Sequence, residues 1–171
     1  MHYYKSLGLR LLASLVLALF PSITYSIVGP LTLWASFATL KLFYSPALAG
    51  NTIIMGSNTL KFIPACAAVS AYILLALLIL LTKDIPVKKM IKMFALGSIL
   101  IFIANIVRID LLITILLEYG TDYFRTLHLF FWHIVSSFYV FLVWIYLIKT
   151  FKIKEIPVYS DFIELKKMLR R

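Results

Sequence analysis

Apolar residues in this chain come in long blocks, and neither the one-sided spacing of a surface helix nor the alternation of a half-buried strand dominates. The run AYILLALLILL at positions 71–81 carries no charge at all. A helix that crosses a bilayer needs about 20 mainly apolar residues. Five segments qualify as candidate spans: residues 7–28, 31–48, 64–81, 93–117 and 127–148. The last three are long and flanked by charges or turn residues. Pro21, Gly29 and Pro30 interrupt the first two, so that region reads either as two short spans or as one span with an extra half-helix. Segment 7–28 has no small-residue cleavage site before more apolar chain, unlike a signal peptide.

Residues 51–64, NTIIMGSNTLKFIP, follow another pattern. Short apolar pairs flank Gly56, Ser57 and Asn58, a turn signal between two extended runs. A short hairpin or extended loop on the outer membrane surface is expected there, leading directly to Cys66. The expected fold class is an all-α polytopic membrane protein. It is a bundle of about five transmembrane helices, with a short extracytoplasmic loop or hairpin before the Cys-bearing helix. No repeat or second domain interrupts residues 1–150, and a basic cytoplasmic tail, 151–171, follows them.

Composition agrees with the pattern. Of 171 residues 63% are hydrophobic and only 14% charged, whereas a soluble domain is about 25% charged. The net charge of +10 would suggest nucleic acid in a soluble protein, but its placement explains it otherwise. Lys83, Lys88, Lys89 and Lys92 lie between the third and fourth segments, and Lys149, Lys152, Lys154, Lys166, Lys167, Arg170 and Arg171 follow the last. Cytoplasmic loops collect Lys and Arg, so both regions belong inside, residues 44–63 and 118–125 belong outside, and no nucleic-acid partner is expected. Five passes place the N-terminus outside, against which Lys5 and Arg10 argue.

Ionisable and nucleophilic residues within apolar segments carry the remaining information. Arg108 sits inside ILIFIANIVRIDLLITILL, where an arginine costs about 2.5–3.5 kcal/mol on the insertion scale. It must face the bundle interior or a wet cavity, either as half of a structural ion pair or as part of a site. Asn105, three residues earlier, shares its face; Asp110, two residues later, points elsewhere. The guanidinium therefore needs an acceptor from another helix or from a substrate. Cys66, the single cysteine, excludes an intrachain disulfide. A lone cysteine is often inert packing, but two residues after Pro64 it is expected in the first turn of the third helix. A helix-end field and a nearby cation there favour thiolate. His128 and His133 lie in the outer half of the last segment, where one can be an aromatic-belt residue. Five residues turn a helix through about 140°, so both cannot face one site equally.

Depth lets these groups meet. At about 1.5 Å per residue, Arg108 lies roughly 13 Å below the outer end of its segment and His133 roughly 10 Å in. Cys66 and His128 lie within about 3 Å of their helix starts. A thiol, a guanidinium and an imidazole in the outer membrane support acyl transfer: thiolate attack on an amide carbonyl, proton transfer by histidine, and stabilisation by arginine. The rival reading is a non-enzymatic transporter or assembly subunit in which Arg108 and Asp110 line a solute path or pair across helices.

At these residues the chain resembles the exosortase/archaeosortase family, and its length is similar to the compact archaeal members. The matching elements are Pro64–Ala65–Cys66 with Ser70 one turn on, ANIVRI at 104–109, and His133 followed four residues later by Ser137. Ala68 departs from the pattern, since many members carry glycine there. The resemblance implies a membrane cysteine transpeptidase that cleaves the C-terminal sorting signal of secreted proteins. Such substrates end in a short signature, a hydrophobic helix and a basic tail, and the new C-terminus passes to a membrane lipid. Carried over, Cys66 is the nucleophile, Arg108 the electrostatic stabiliser and His133 the acid/base, with Asn105, Ser70, Ser137 and His128 supporting. No metal or cofactor is expected. The protein is expected in the cell membrane as a multi-pass protein, its site facing outward.

Overall fold

The computed structural model describes residues 2–56 and 58–153 with positions 155, 157, 162 and 166; the side chains of 2–6, Trp132 and His133 lie outside that description. The basic tail expected at 151–171 therefore falls largely outside the described residues. The chain is mostly helical: α1 (His2–Leu19), α2 (Pro21–Leu40), α3 (Val69–Leu80), α4 (Val87–Tyr119), α5 (Thr121–Phe130) and α6 (Ser136–Thr150). A π-helical segment, Phe131–Val135, joins α5 to α6 without a break.

The N-terminal ambiguity resolves at Pro21, not at Gly29–Pro30. Pro21 opens α2, where its missing N–H is no loss, and forces Phe20 out of the helical region to φ −119° and ψ 61°. Pro30 stays inside α2. The break is shallow, because Phe20 N–H still donates to Val16 O (3.1 Å) and Ile23 N–H to Phe20 O (3.2 Å).

Contacts along α4 show where this helical pair goes. Arg10 Nε donates to Leu80 O at the end of α3 (2.8 Å). Leu17 shares an apolar groove with Leu80, Met90, Ile91 and Phe94, near the start of α4. Thr39 Oγ1 donates to Asp110 Oδ1 (3.1 Å), and the Tyr44 hydroxyl donates to Thr114 Oγ1 (3.3 Å). From Leu17 to Tyr44 the chain thus climbs roughly 35 Å along α4 in one direction, against a bilayer core of about 30 Å. The first two segments rise along α4 as one continuous path, joined at the shallow break and without a hairpin between them.

Residues 41–63 complete the upper end. The expected helix through residue 48 stops at Leu40, and a three-stranded antiparallel meander follows: β1 (Ala47–Ala49), β2 (Thr52–Met55) and β3 (Asn58–Lys61). After β1 and β2 stand Gly50 at φ +58° and Gly56 at φ +57°, the left-handed conformation that tight hairpin connections favour. Ile53 and Met55 of β2 are buried with Leu33 and Leu40 of α2 and Ile109 and Ile113 of α4, so the sheet lies on the upper part of both helices. Lys88, Lys89 and Lys92 mark the other end of α4.

A second core joins α3, α4 and α6 through Tyr72, Leu75, Met93, Ile101, Val140, Trp144 and Leu147. Gly97 lets these helices touch: a Cβ there would lie 2.6 Å from Leu75 Cδ2 and 2.9 Å from Leu147 Cδ1. The exterior is apolar around the bundle. Val107 is 62% exposed while the adjacent Arg108 is 7% exposed, the reverse of a soluble helix and the arrangement an apolar solvent selects. Two helices, α2 and α4, are long and apolar enough to cross a membrane; 7–19, α3 and α6 are shorter apolar stretches.

A continuous N-terminal path predicts the sidedness of its ends. A reporter fused at the N-terminus should read the same side as one in the 83–92 loop, and the opposite side from one at Gly50. Opposite readings for the N-terminus and the 83–92 loop would restore two separate N-terminal passes.

Candidate active site

Between β3 and α3 the chain makes a tight turn over residues 64–68, and Cys66 sits in it. Cys66 N–H donates to Ile63 O (2.9 Å) and Ala68 N–H to Ala65 O (3.4 Å). Helix α3 begins only at Val69. The cysteine is therefore not in the first turn of that helix, as its distance from Pro64 suggested, but three residues upstream of it. Ala68 separates the two by adopting a left-handed conformation, φ 51° and ψ 35°, which costs a residue with a Cβ about 1–2 kcal/mol. The helix-end field expected to act on the thiol is correspondingly displaced.

The turn is held from α4. Arg108 Nη2 donates to Ala65 O (3.0 Å) and to Cys66 O (3.3 Å), and Asn105 Nδ2 donates to the same Cys66 O (2.9 Å). Three residues apart on one helix face, the amide and the guanidinium form a clasp over two consecutive carbonyls. Arg108 Nη1 also donates to Ser136 Oγ (3.4 Å), which in turn donates to Phe131 O (2.8 Å). Asn105 and Arg108 are both buried. Arg108 Nε and Asn105 Oδ1 have no hydrogen-bond partner among the described residues. A guanidinium has five N–H donors, so donor capacity remains beyond the turn.

Two small cavities meet at Arg108. One, about 30 Å³, is lined by Leu60 of β3, Cys66, Ile109, Ile113, Phe124 and His128. The other, about 90 Å³, lies between α3, α4 and the π segment, and Asn105, Ser136 and Tyr139 are its polar side chains besides Arg108. His128 stacks on Phe124, with ring centroids 5.6 Å apart and planes at 18°. It thus shares a cavity with the thiol and the guanidinium. The backbone of His133 lies in the π segment; its side chain falls outside the described residues.

The remaining supporting residues are distributed differently. Ser70 and Ser137 are exposed and make no described contact with Arg108. Ser136, which the sequence reading passed over, faces the arginine instead. A π turn closes at i→i+5 and inserts a residue relative to an α-helix, which shifts everything after it by about 100°. The Ser-Ser pair at 136–137 was visible in the sequence, but the register that chooses between them was not. Asp110 points to Thr39 on α2, and among the described residues no ion pair joins it to Arg108.

Comparison with known proteins adds the decisive observation. The family model of transmembrane exosortases matches residues 2–149, nearly the whole described chain. The chain belongs to the transmembrane exosortase family. No curated protein and no solved structure gives a significant match. Exosortases are membrane-embedded, protein-processing cysteine transpeptidases as a class, and this exosortase has one cysteine, Cys66.

The left-handed Ala68 yields a prediction. Ala68→Gly should raise the thermal stability of the detergent-solubilised exosortase, by up to about 1 kcal/mol, because glycine removes the Cβ penalty at positive φ. A lowered melting temperature would contradict the strained turn.

Proposed function

We propose that Cys66 cleaves the C-terminal sorting signal of secreted proteins and passes the new C-terminus to a membrane lipid. The observation that carries this reading is the clasp. A buried asparagine and a buried arginine spend their donors on the backbone of the turn that bears the only cysteine. The rival reading, in which Arg108 and Asp110 line a solute path or pair across helices, leaves that arrangement without a use; Asp110 accepts from Thr39 of α2.

The chemistry is acyl transfer through a thioester. The Cys66 thiolate attacks the carbonyl carbon of the scissile amide, the C–N bond breaks, and a histidine gives a proton to the departing amine. The thioester now holds the new C-terminus. A lipid hydroxyl or amine then yields its proton to the histidine, attacks the thioester carbonyl and releases the thiolate. Arg108 stabilises thiolate and oxyanion with the donors left over from the turn, and Asn105 and Ser136 fix its position. The family resemblance assigns the proton transfers to His133. A second reading assigns them to His128, on the specific ground that His128 lines the cavity of the thiol.

The topology that suits this chemistry has four passes: the ascending α1–α2 path, α3, α4, and the α5–α6 rod. The sheet and Cys66 then face outward, and the lysines of 83–92 face inward. Lys92 and Ile113, which mark the two ends on α4, lie roughly 32 Å apart, close to the thickness of a bilayer core.

Co-expression with a secreted protein that ends in an apolar helix and a basic tail tests the reading. Cys66→Ala should leave the partner uncleaved while the membrane protein accumulates normally, since loss of one sulfur in a turn removes little packing. His133→Ala should abolish cleavage and His128→Ala reduce it partly; the opposite order would move the acid/base role to His128. Undiminished cleavage by Cys66→Ala would end the proposal.

A further inference from the structure

The sheet above the thiol has a free edge, and its ladder shows which backbone groups are available there. Phe62 N–H donates to Asn51 O (2.8 Å), which makes 51–62 a hydrogen-bonded pair continuing the β2–β3 register. Bonded and non-bonded pairs alternate in an antiparallel ladder. Ile53–Leu60 and Met55–Asn58 are therefore bonded, while Thr59 and Lys61 turn their N–H and C=O groups away from β2. Strand β3 is the last in the sheet order, and among the described residues no strand pairs with its outer edge. Thr59 and Lys61 are exposed, while Leu60, on the opposite face, lines the cavity that holds Cys66 and His128.

We infer that the free edge of β3 binds the stretch of substrate polypeptide just upstream of the scissile bond as an added antiparallel or parallel strand. The inference rests on Cys66 being the nucleophile. An added strand takes its affinity from backbone hydrogen bonds to Thr59 and Lys61 and directs alternate side chains to the Leu60 face. Four residues lie between Lys61 and Cys66, and the chain there turns back through the Ile63 carbonyl. A peptide that leaves the strand edge thus arrives beside the thiol. Extended binding also suits the chemistry, because a scissile amide hydrogen-bonded within a helix is shielded from attack. Such a site reads backbone first and side chains second, so it tolerates varied sequence upstream of the cleavage point.

The test uses the full-length protein in lipid nanodiscs and a blocked octapeptide of alternating Val and Thr with a C-terminal chloromethyl ketone. Its alkylation of Cys66 is read by intact mass and compared with alkylation by iodoacetamide, which needs no strand. Thr59→Pro and Lys61→Pro remove only outward-facing N–H groups and leave the β2 ladder intact. They should slow the peptide reagent about tenfold or more, as expected for lost backbone hydrogen bonds, and leave the iodoacetamide rate unchanged. N-methylation of the peptide at successive amides should inhibit with a period of two, an arm that involves no variant protein. Indifference of the peptide rate to both proline and N-methylation would overturn the strand-edge site. A change of oligomeric mass in the proline variants, without any N-methyl effect, would assign the edge to a second copy and overturn it equally. Failure of both reagents to modify Cys66 would instead overturn the nucleophile reading, and this inference with it.

Discussion

A guanidinium in the middle of an apolar bundle needs acceptors, and two backbone carbonyls in a non-helical turn need donors. In this exosortase each deficit answers the other. Arg108 sits on the longest helix, one residue from the exposed apolar side chain of Val107, so its charge can be held only from inside. The turn 64–68 leaves Ala65 O and Cys66 O outside any helix or sheet ladder; Ala65 O accepts one long bond from Ala68 N–H, and Arg108 and Asn105 supply the other donors. Removing Arg108 would leave Ala65 O with only the long bond from Ala68 N–H and Cys66 O with Asn105 alone, and losing hydrogen bonds from a charged group costs about 1.5–3 kcal/mol. That mutual dependence fixes the cysteine relative to α4 more firmly than the packing of a small side chain could.

The rest of the fold serves this contact. Helix α4 runs the full height of the bundle and meets α2, α3, α5 and α6, so it is a fixed reference for every other element. Above it the three-stranded sheet rests on Ile109 and Ile113 and sets the level at which the chain enters the turn. Beside it the π segment brings Ser136 to the free side of the guanidinium. Gly97 keeps α3 and α6 close to α4 below the site. The left-handed Ala68 then lets the chain leave the turn and enter α3 without carrying Cys66 into the helix.

Much of this was legible in the chain itself, for identifiable reasons. Helices α3, α4 and the last rod announce themselves because long apolar runs have few other solutions. Asn105 and Arg108 were placed on one face by their spacing of three. The N-terminal region was ambiguous because proline is tolerated both at a helix start and inside a packed membrane helix; contacts with α4, not local sequence, decide that Pro21 makes a shallow break and Pro30 none. Strand β1, Ala47–Ala49, has no alternation and only three residues, so it exists by virtue of β2. The π segment depends on tertiary packing, which is why Ser137 was expected where Ser136 stands. Cys66 looked helical because Pro64 often opens a helix, whereas the conformation of Ala68, invisible in sequence, postpones the helix by three residues.

Arg108→Lys tests the account most directly, because it keeps the charge and removes the planar fork that spans two carbonyls and a hydroxyl at once. Cleavage of a co-expressed secreted protein with an apolar C-terminal helix and basic tail would be measured beside the amount of variant in the membrane. A clasp that both orients Cys66 and stabilises developing charge predicts normal accumulation with processing reduced about a hundredfold or more. Processing at the wild-type rate would show that a point charge suffices and that the fork over the cysteine turn is not what the site depends on.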